Sequence, residues 1–259
     1  APTRARDHEL IIQTLEYVEG MSPTALRRGL GPDWGFETFA QYLAKIEARG
    51  TMANIGVLAG HTPIRINVMG EDAFEREARP DEIVAMQQIL RDAFRAGAVG
   101  FSTSGSNNHV GFKGKPVPSR LASFDETRAL ASIMREMDAG VFQATVGTQM
   151  FYDQFEAIHA DTGRPVTWSA LLGSYWGPGS HRKRLERFAD YRARGIPIPP
   201  HAQGRGLRLD YRRLPAHHRR RPPRLPSGEG QGEHQRGGRR QPPGPATARL
   251  PGPLHQWRG

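Results

Sequence analysis

Val99-Gly-Phe-Ser-Thr-Ser-Gly-Ser-Asn-Asn-His-Val-Gly-Phe-Lys-Gly-Lys-Pro-Val-Pro-Ser-Arg120 opens as a short apolar run and breaks at once into a long polar loop. A helical pattern ends just before it, at Ala96-Gly97, and another begins near Asp125. Helix, short strand, long loop and helix in succession are the signature of a parallel sheet, a fold that gathers its binding groups in loops at the carboxyl ends of strands. The loop is rich in glycine and small polar residues and carries one histidine, His109. A loop this long within a compact domain is either a plain surface connection or a functional one, and the residues alone leave both open.

The same alternation extends in both directions. Asp81 to Ala96 has the clearest helical pattern: Pro80 at its start, acids in the first turn, Gly97 as its stop, and Ile83, Met86, Ile89, Leu90 and Phe94 as one apolar stripe. Glu9 to Val18, Phe36 to Arg49, Asp125 to Met137, Phe151 to Ala160 and His181 to Arg194 also read as helices, with a short helical turn at Thr24 to Arg28. Strands are expected at Asn54 to Ala59, which runs straight into Gly60-His61-Thr62-Pro63, at Val99 to Ser102, Val141 to Thr145 and Pro165 to Leu172, and from Ile196. The strands read as short and apolar on both faces, as in barrels. The expected fold class is α/β, a partial TIM-type (β/α) barrel with a disordered C-terminal tail. A doubly wound sheet is second, since no Gly-x-Gly-x-x-Gly opens a helix after any strand. Five strands are too few to close a barrel, so residues 1–206 are expected to form an incomplete barrel domain.

Charge divides the chain at the same place. Of the net charge of +10, a net of +9 falls between Arg208 and Gly259, a stretch with 12 arginines and no lysine. Isoleucine, valine, phenylalanine and methionine are absent from it, so it cannot bury enough apolar surface to offset its ordering entropy. Residues 207–259 are therefore read as an Arg/Pro/Gly-rich disordered tail. Three origins compete. A shifted, GC-rich reading frame accounts best for arginine without lysine and for a break where a domain should continue. A plain tail comes next, and nucleic-acid binding through phosphates is the least favoured. The chain has no cysteine, which excludes disulfides and thiolate metal sites. No apolar run approaches a membrane span and no signal-peptide core opens the chain, so a cytoplasmic protein is expected. Because it starts on Ala1 rather than methionine, the chain is read as an excerpt or a processed product.

Chemistry-bearing residues are sparse. No His-x-His or His-Glu-x-x-His spacing occurs. His61 follows a strand directly, and His109 lies in the opening loop. His8, His159 and His181 sit on or beside helices, and His201 follows Pro199-Pro200. Ser102 and Ser104 end a strand but lack the Gly-x-Ser-x-Gly elbow of hydrolase nucleophiles. Trp168, Tyr175 and Trp176 could line a pocket for an acyl group or could simply be core.

Three motifs in order carry a family resemblance. Gly60-His61-Thr62-Pro63-Ile64-Arg65 with Val68-Met69-Gly70, Asp33-Trp34-Gly35-Phe36-Glu37-Thr38-Phe39, and Ala96-Gly97-Ala98-Val99-Gly100-Phe101-Ser102-Thr103 resemble stretches of the D-aminoacylase (N-acyl-D-amino-acid deacylase) group of the amidohydrolase superfamily. The resemblance covers about residues 8 to 206. It implies a TIM barrel beside a small β-domain, in which zinc activates a water that hydrolyses N-acyl-D-amino acids while an acidic group moves the protons. The chain departs from that pattern at its chemistry. The family's His-x-His pair and bridging cysteine belong upstream of Ala1. Val146 stands where a histidine ligand is expected, the next ligand aligns near Trp168-Ser169, and a late aspartate falls beyond Gly204. Tyrosine-bearing sequence after the third motif is replaced by Ser104-Gly-Ser-Asn-Asn-His109.

The expectation is a hydrolase of the amidohydrolase type acting on non-peptide C–N (amide) bonds such as N-acyl-D-amino acids, with this chain inactive by itself. Zinc is the family's cofactor; no metal ligand is assigned here and no tightly bound zinc is expected. No catalytic residue is assigned. Contacts to a small-molecule N-acyl substrate are expected at Ser104, Asn107 and His109, with His61 across the rim. The alternatives are a non-catalytic barrel that binds a small acylated ligand through Trp168, Tyr175 and Trp176, and nucleic-acid binding by the tail. No membrane contact is expected.

Overall fold

The computed structural model describes residues 2–31, 34–147, 149–172 and 177–202. Three helices come first: α1 (His8–Glu19), α2 (Pro23–Leu30) and α3 (Phe39–Arg49). The rest alternates: β1 (Leu58–Gly60), α4 (His61–Met69), α5 (Pro80–Arg95), β2 (Gly100–Ser104), α6 (Phe124–Glu136), β3 (Val141–Thr145), α7 (Tyr152–Thr162), β4 (Val166–Leu171), α8 (Ser180–Ala193) and β5 (Pro200–Ala202). All four strand pairings are parallel, and the sheet order is β1-β2-β3-β4-β5. Sequence order without reversal separates the two candidate architectures. A doubly wound sheet reverses at its switch point, whereas a (β/α) barrel adds each strand beside the last. The described sheet is an arc of the TIM type.

Local chemistry explains the element ends. Pro80 occupies the first turn of α5, where its missing N–H costs nothing. Ser123 caps α6 by accepting from the Glu126 N–H at 3.1 Å. Two glycines allow backbones to approach. A Cβ on Gly100 would lie 2.0 Å from the Val141 carbonyl oxygen, and one on Gly147 would lie 1.6 Å from that of Gly105. The first admits β3 beside β2. The second packs the loop after β3 directly on the loop after β2.

One sheet face is apolar and packs on the helices. Phe101, Phe142, Ala144 and Val166 are fully buried there, and the Trp168 ring stacks on Phe155 of α7 with centroids 6.5 Å apart. The other face is polar, and register aligns Ser104, Thr145, Ser169 and His201 across four strands. The expectation of strands apolar on both faces is corrected accordingly: the alternating pattern buries one set of side chains and leaves the polar set half-buried.

Other boundaries are also corrected. β1 begins at Leu58 rather than Asn54, and the last strand is Pro200–Ala202 rather than a run from Ile196. The segment after β1 is helical at once. No helix is expected there from sequence; Pro63 falls in the first turn of α4, where proline is tolerated. Trp168 is 1% exposed in the core and lines no acyl pocket; Tyr175 and Trp176 lie outside the described residues. The tail from residue 207 also lies outside them. No described helix is long and apolar enough to cross a membrane.

Candidate functional site

Two polar clusters meet at the carboxyl end of β2. The first is buried. His61 opens α4, and Arg65 follows four residues later on the same helical face. Glu126, in the first turn of α6, faces both. Its Oε1 lies 2.8 Å from His61 Nε2, and its Oε2 accepts from Arg65 Nη1. Arg65 Nη2 also donates to the Arg76 carbonyl at 2.7 Å, and Thr103 Oγ1 lies 2.9 Å from His61 Nδ1. His61, Arg65 and Glu126 are each at most 1% exposed.

Proton placement follows from the partners. Burial pushes Glu126 up, but the hydrogen bond from His61, together with the hydrogen bond and charge of Arg65, holds the carboxyl below the usual range. An ionised carboxylate only accepts, so His61 carries its proton on Nε2, and Nδ1 accepts from the Thr103 hydroxyl. Burial drives the His61 pKa down despite Glu126, which agrees with a neutral ring. The cluster is a matched Arg–Glu pair plus a neutral histidine, and it ties α4 and α6 to β2.

The second cluster lines an open cavity of about 260 Å³. Its polar wall includes Thr103, Ser104, Asn107, Ser119, Arg120 and Thr127, and Phe124 and Met150 give it an apolar side. The loop that forms it is ordered by its own backbone. Val110 and Pro116 form an antiparallel bridge, and the Val117 N–H donates to the His109 carbonyl at 3.3 Å. Ser104 Oγ lies 2.6 Å from His109 Nδ1. Ser119 Oγ donates to the Ser104 carbonyl at 3.0 Å. Arg120 Nη1 donates to the carbonyls of Asn107 (3.4 Å) and His109 (3.2 Å), and Nη2 to Asn107 Oδ1 (3.1 Å).

The residues expected from sequence divide between the clusters. Ser104 and Asn107 line the cavity, and His109 stands behind Ser104. His61 does not reach it. Both its ring nitrogens are engaged and the ring is buried, so His61 stands apart from the cavity lining. Arg65, Glu126, Thr103 and Arg120 were not among the expected residues. A histidine and an arginine four apart give the signal for the first group, once α4 is recognised as a helix. Glu126 and Arg120 become visible only in three dimensions.

The described residues do not fit a metal centre. No group of three or more His, Asp or Glu side chains converges among them. Val146, at the position where a ligand histidine was expected, is 5% exposed in the core, and Ser169 Oγ accepts from Gln143 Nε2 at 2.9 Å. No chemical step is therefore assigned to a metal on these residues.

No protein-family model matches the chain. An N-acyl-D-glutamate deacylase of Alcaligenes xylosoxydans xylosoxydans is 39% identical over 74 residues, 29% of this chain and 15% of that protein. A D-aminoacylase structure whose study concerns its binuclear metal centre aligns with a TM-score of 0.53 at 24% identity, over 63% of this chain and 33% of its own. The N-acyl-D-glutamate deacylase of Bordetella bronchiseptica, solved with zinc and a phosphonate mimic of the tetrahedral intermediate, gives 0.51 at 25% identity over 65% and 34%. The chain thus spans about a third of the solved structures and 15% of the curated relative. Motifs, strand order and these relatives agree in one respect: over part of its length the chain is similar to one segment of the D-aminoacylase group of amidohydrolases.

Proposed function

We propose that the protein represented by this chain is a hydrolase of non-peptide C–N (amide) bonds in N-acyl-D-amino acids, and that the cavity beside Ser104 holds part of the substrate. The observation that carries this reading is the position of the cavity: it lies at the carboxyl end of a barrel strand, where this fold class places its chemistry. Ser104 and Asn107 contact the ligand, with His109 fixing the Ser104 hydroxyl from behind. The His61–Glu126–Arg65 cluster acts as a brace, since Thr103 belongs both to it and to the cavity wall. The groups that activate water are not among the described residues, so this chain by itself binds without turnover.

The test is incubation of the 259-residue chain with N-acetyl-D-amino acids, following both amine release and heat of binding. Saturable binding with no amine release is expected, together with loss of binding in Ser104→Trp, which fills the cavity. Chelator-sensitive amine release would overturn the inactive reading, and binding unaffected by Ser104→Trp would overturn the placement of the site.

A further inference from the structure

We infer that Arg120 is the anchor of this cavity and that its ligand is a small monocarboxylic acid whose free carboxylate seats on the guanidinium. This deepens the proposed function and rests on the same cavity. Arg120 is half-buried, and its described partners are all neutral oxygens, two backbone carbonyls and the Asn107 amide. Other arginines of the fold meet carboxylates: Arg65 meets Glu126, Arg76 meets Asp72 and Glu82, Arg164 meets Asp138, and Arg187 meets Glu156. No aspartate or glutamate is among the described residues lining the cavity. A partly desolvated cation facing neutral acceptors leaves a local excess of positive charge that an anion relieves.

The donors still available define the shape of that anion. A guanidinium has five N–H groups in a planar fork. The two on Nη1 and one on Nη2 are used within the loop, which leaves Nε–H and one Nη2–H uncommitted among the described residues. These two nitrogens form the side of the fork that takes a carboxylate in two parallel hydrogen bonds. Burial also lowers the Arg120 pKa from its ordinary value, in keeping with its partly desolvated position.

The rest of the cavity limits the class of ligand. One cation among its described lining residues suits a single negative charge rather than a polyphosphate. The hydroxyls of Ser104, Ser119 and Thr127 and the amides of Asn107 and Gln149 suit an amide group, and Ala122, Phe124 and Met150 suit a short apolar substituent. A volume of about 260 Å³ is at the small end for ligand sites.

The experiment compares N-acetyl-D-alanine with its neutral C-terminal amide by calorimetry on the full chain, in the unsubstituted protein, Arg120→Gln and Arg120→Lys, with acetate as a third probe. The acid is expected to bind at least ~10-fold more tightly than the amide, consistent with hydrogen bonds to a charged group. Arg120→Gln should abolish that preference, so that acid and amide bind equally to the same variant, and Arg120→Lys should retain part of it. Should Arg120→Gln fail to fold, Asn107→Asp places a carboxylate beside an intact Arg120 and is expected to remove the acid's advantage over the amide, both measured on that same variant. Preference for the acid that survives both variants would overturn the inference while leaving the N-acyl reading of the cavity intact. Arg120-dependent binding of acetate without binding of N-acetyl-D-alanine would uphold the carboxylate site and overturn the N-acyl reading. Failure of every carboxylate to bind would overturn both.

Discussion

The His61 cluster and the Arg120 cavity lie on opposite sides of Thr103, and each has a histidine and an arginine close to a strand end. Their electrostatics differ. In the first, cation and carboxylate are matched, both ring nitrogens are engaged and exposure is at most 1%. In the second, the cation's partners among the described residues are neutral oxygens, and the hydroxyls and amides line open space. A histidine at the end of a barrel strand therefore does not by itself mark a ligand site. Charge balance and access separate a brace from a receptor.

The largest expected effect comes from breaking the brace. Glu126→Ala leaves the Arg65 cation buried without its carboxylate and is expected to cost about 3–5 kcal/mol, read by urea unfolding. A loss below about 1 kcal/mol, the usual worth of an exposed pair, would show that the cluster is not sealed.

The brace should also make the fold acid-sensitive. His61 has a folded pKa below its ordinary 6.5 and Glu126 one below its ordinary 4.5, so the unfolded chain takes up protons first at both. Glu82 acts in the same direction, held down to about 2 chiefly by its hydrogen bond from Arg76. Stability contributed by His61 is present above pH 6.5 and falls below it; the carboxylate contributions fall below pH 4.5. Melting temperature should decline from pH 7 to pH 4, and His61→Gln should flatten the part of that decline between pH 7 and 5. An equally steep slope in His61→Gln would remove His61 from the account.

On the cavity side, Gly147→Ala forces a Cβ against the Gly105 carbonyl oxygen. A cost of roughly 1–3 kcal/mol is expected, as for overpacking, with ligand binding lost more than stability. The smallest effect belongs to Ser104→Ala, which removes the hydroxyl from a half-buried pair with His109. About 1 kcal/mol or less is expected in stability, against a clear loss in ligand affinity. If stability fell and affinity did not, the cavity would be a second brace.

Much of the arc is legible in the sequence, because Asp81 to Ala96 and the short strands after it carry strong periodic signals. The opening loop singles out Ser104 and Asn107 because loops at strand ends are where such folds keep their polar groups; both line the cavity, and their contact with a ligand belongs to the proposal. What sequence concealed has physical causes. The short α4 follows β1 without a linker and carries no separate start signal, and with α4 hidden the His61–Arg65 face is hidden too. Glu126 lies 61 residues from Arg65, and only parallel pairing of distant strands brings α6 against α4. Trp168 could belong to core or pocket, and stacking on Phe155 places it in the core.

The most direct test of the central contrast is chemical-shift mapping of the isotope-labelled chain titrated with N-acetyl-D-alanine, following backbone amides and histidine ring nitrogens together. Saturable shifts are expected at Ser104, Asn107 and Arg120, with the His61 ring unmoved in its Nε2–H form. Shifts centred on the His61 ring, with the Ser104 to Arg120 loop silent, would contradict it.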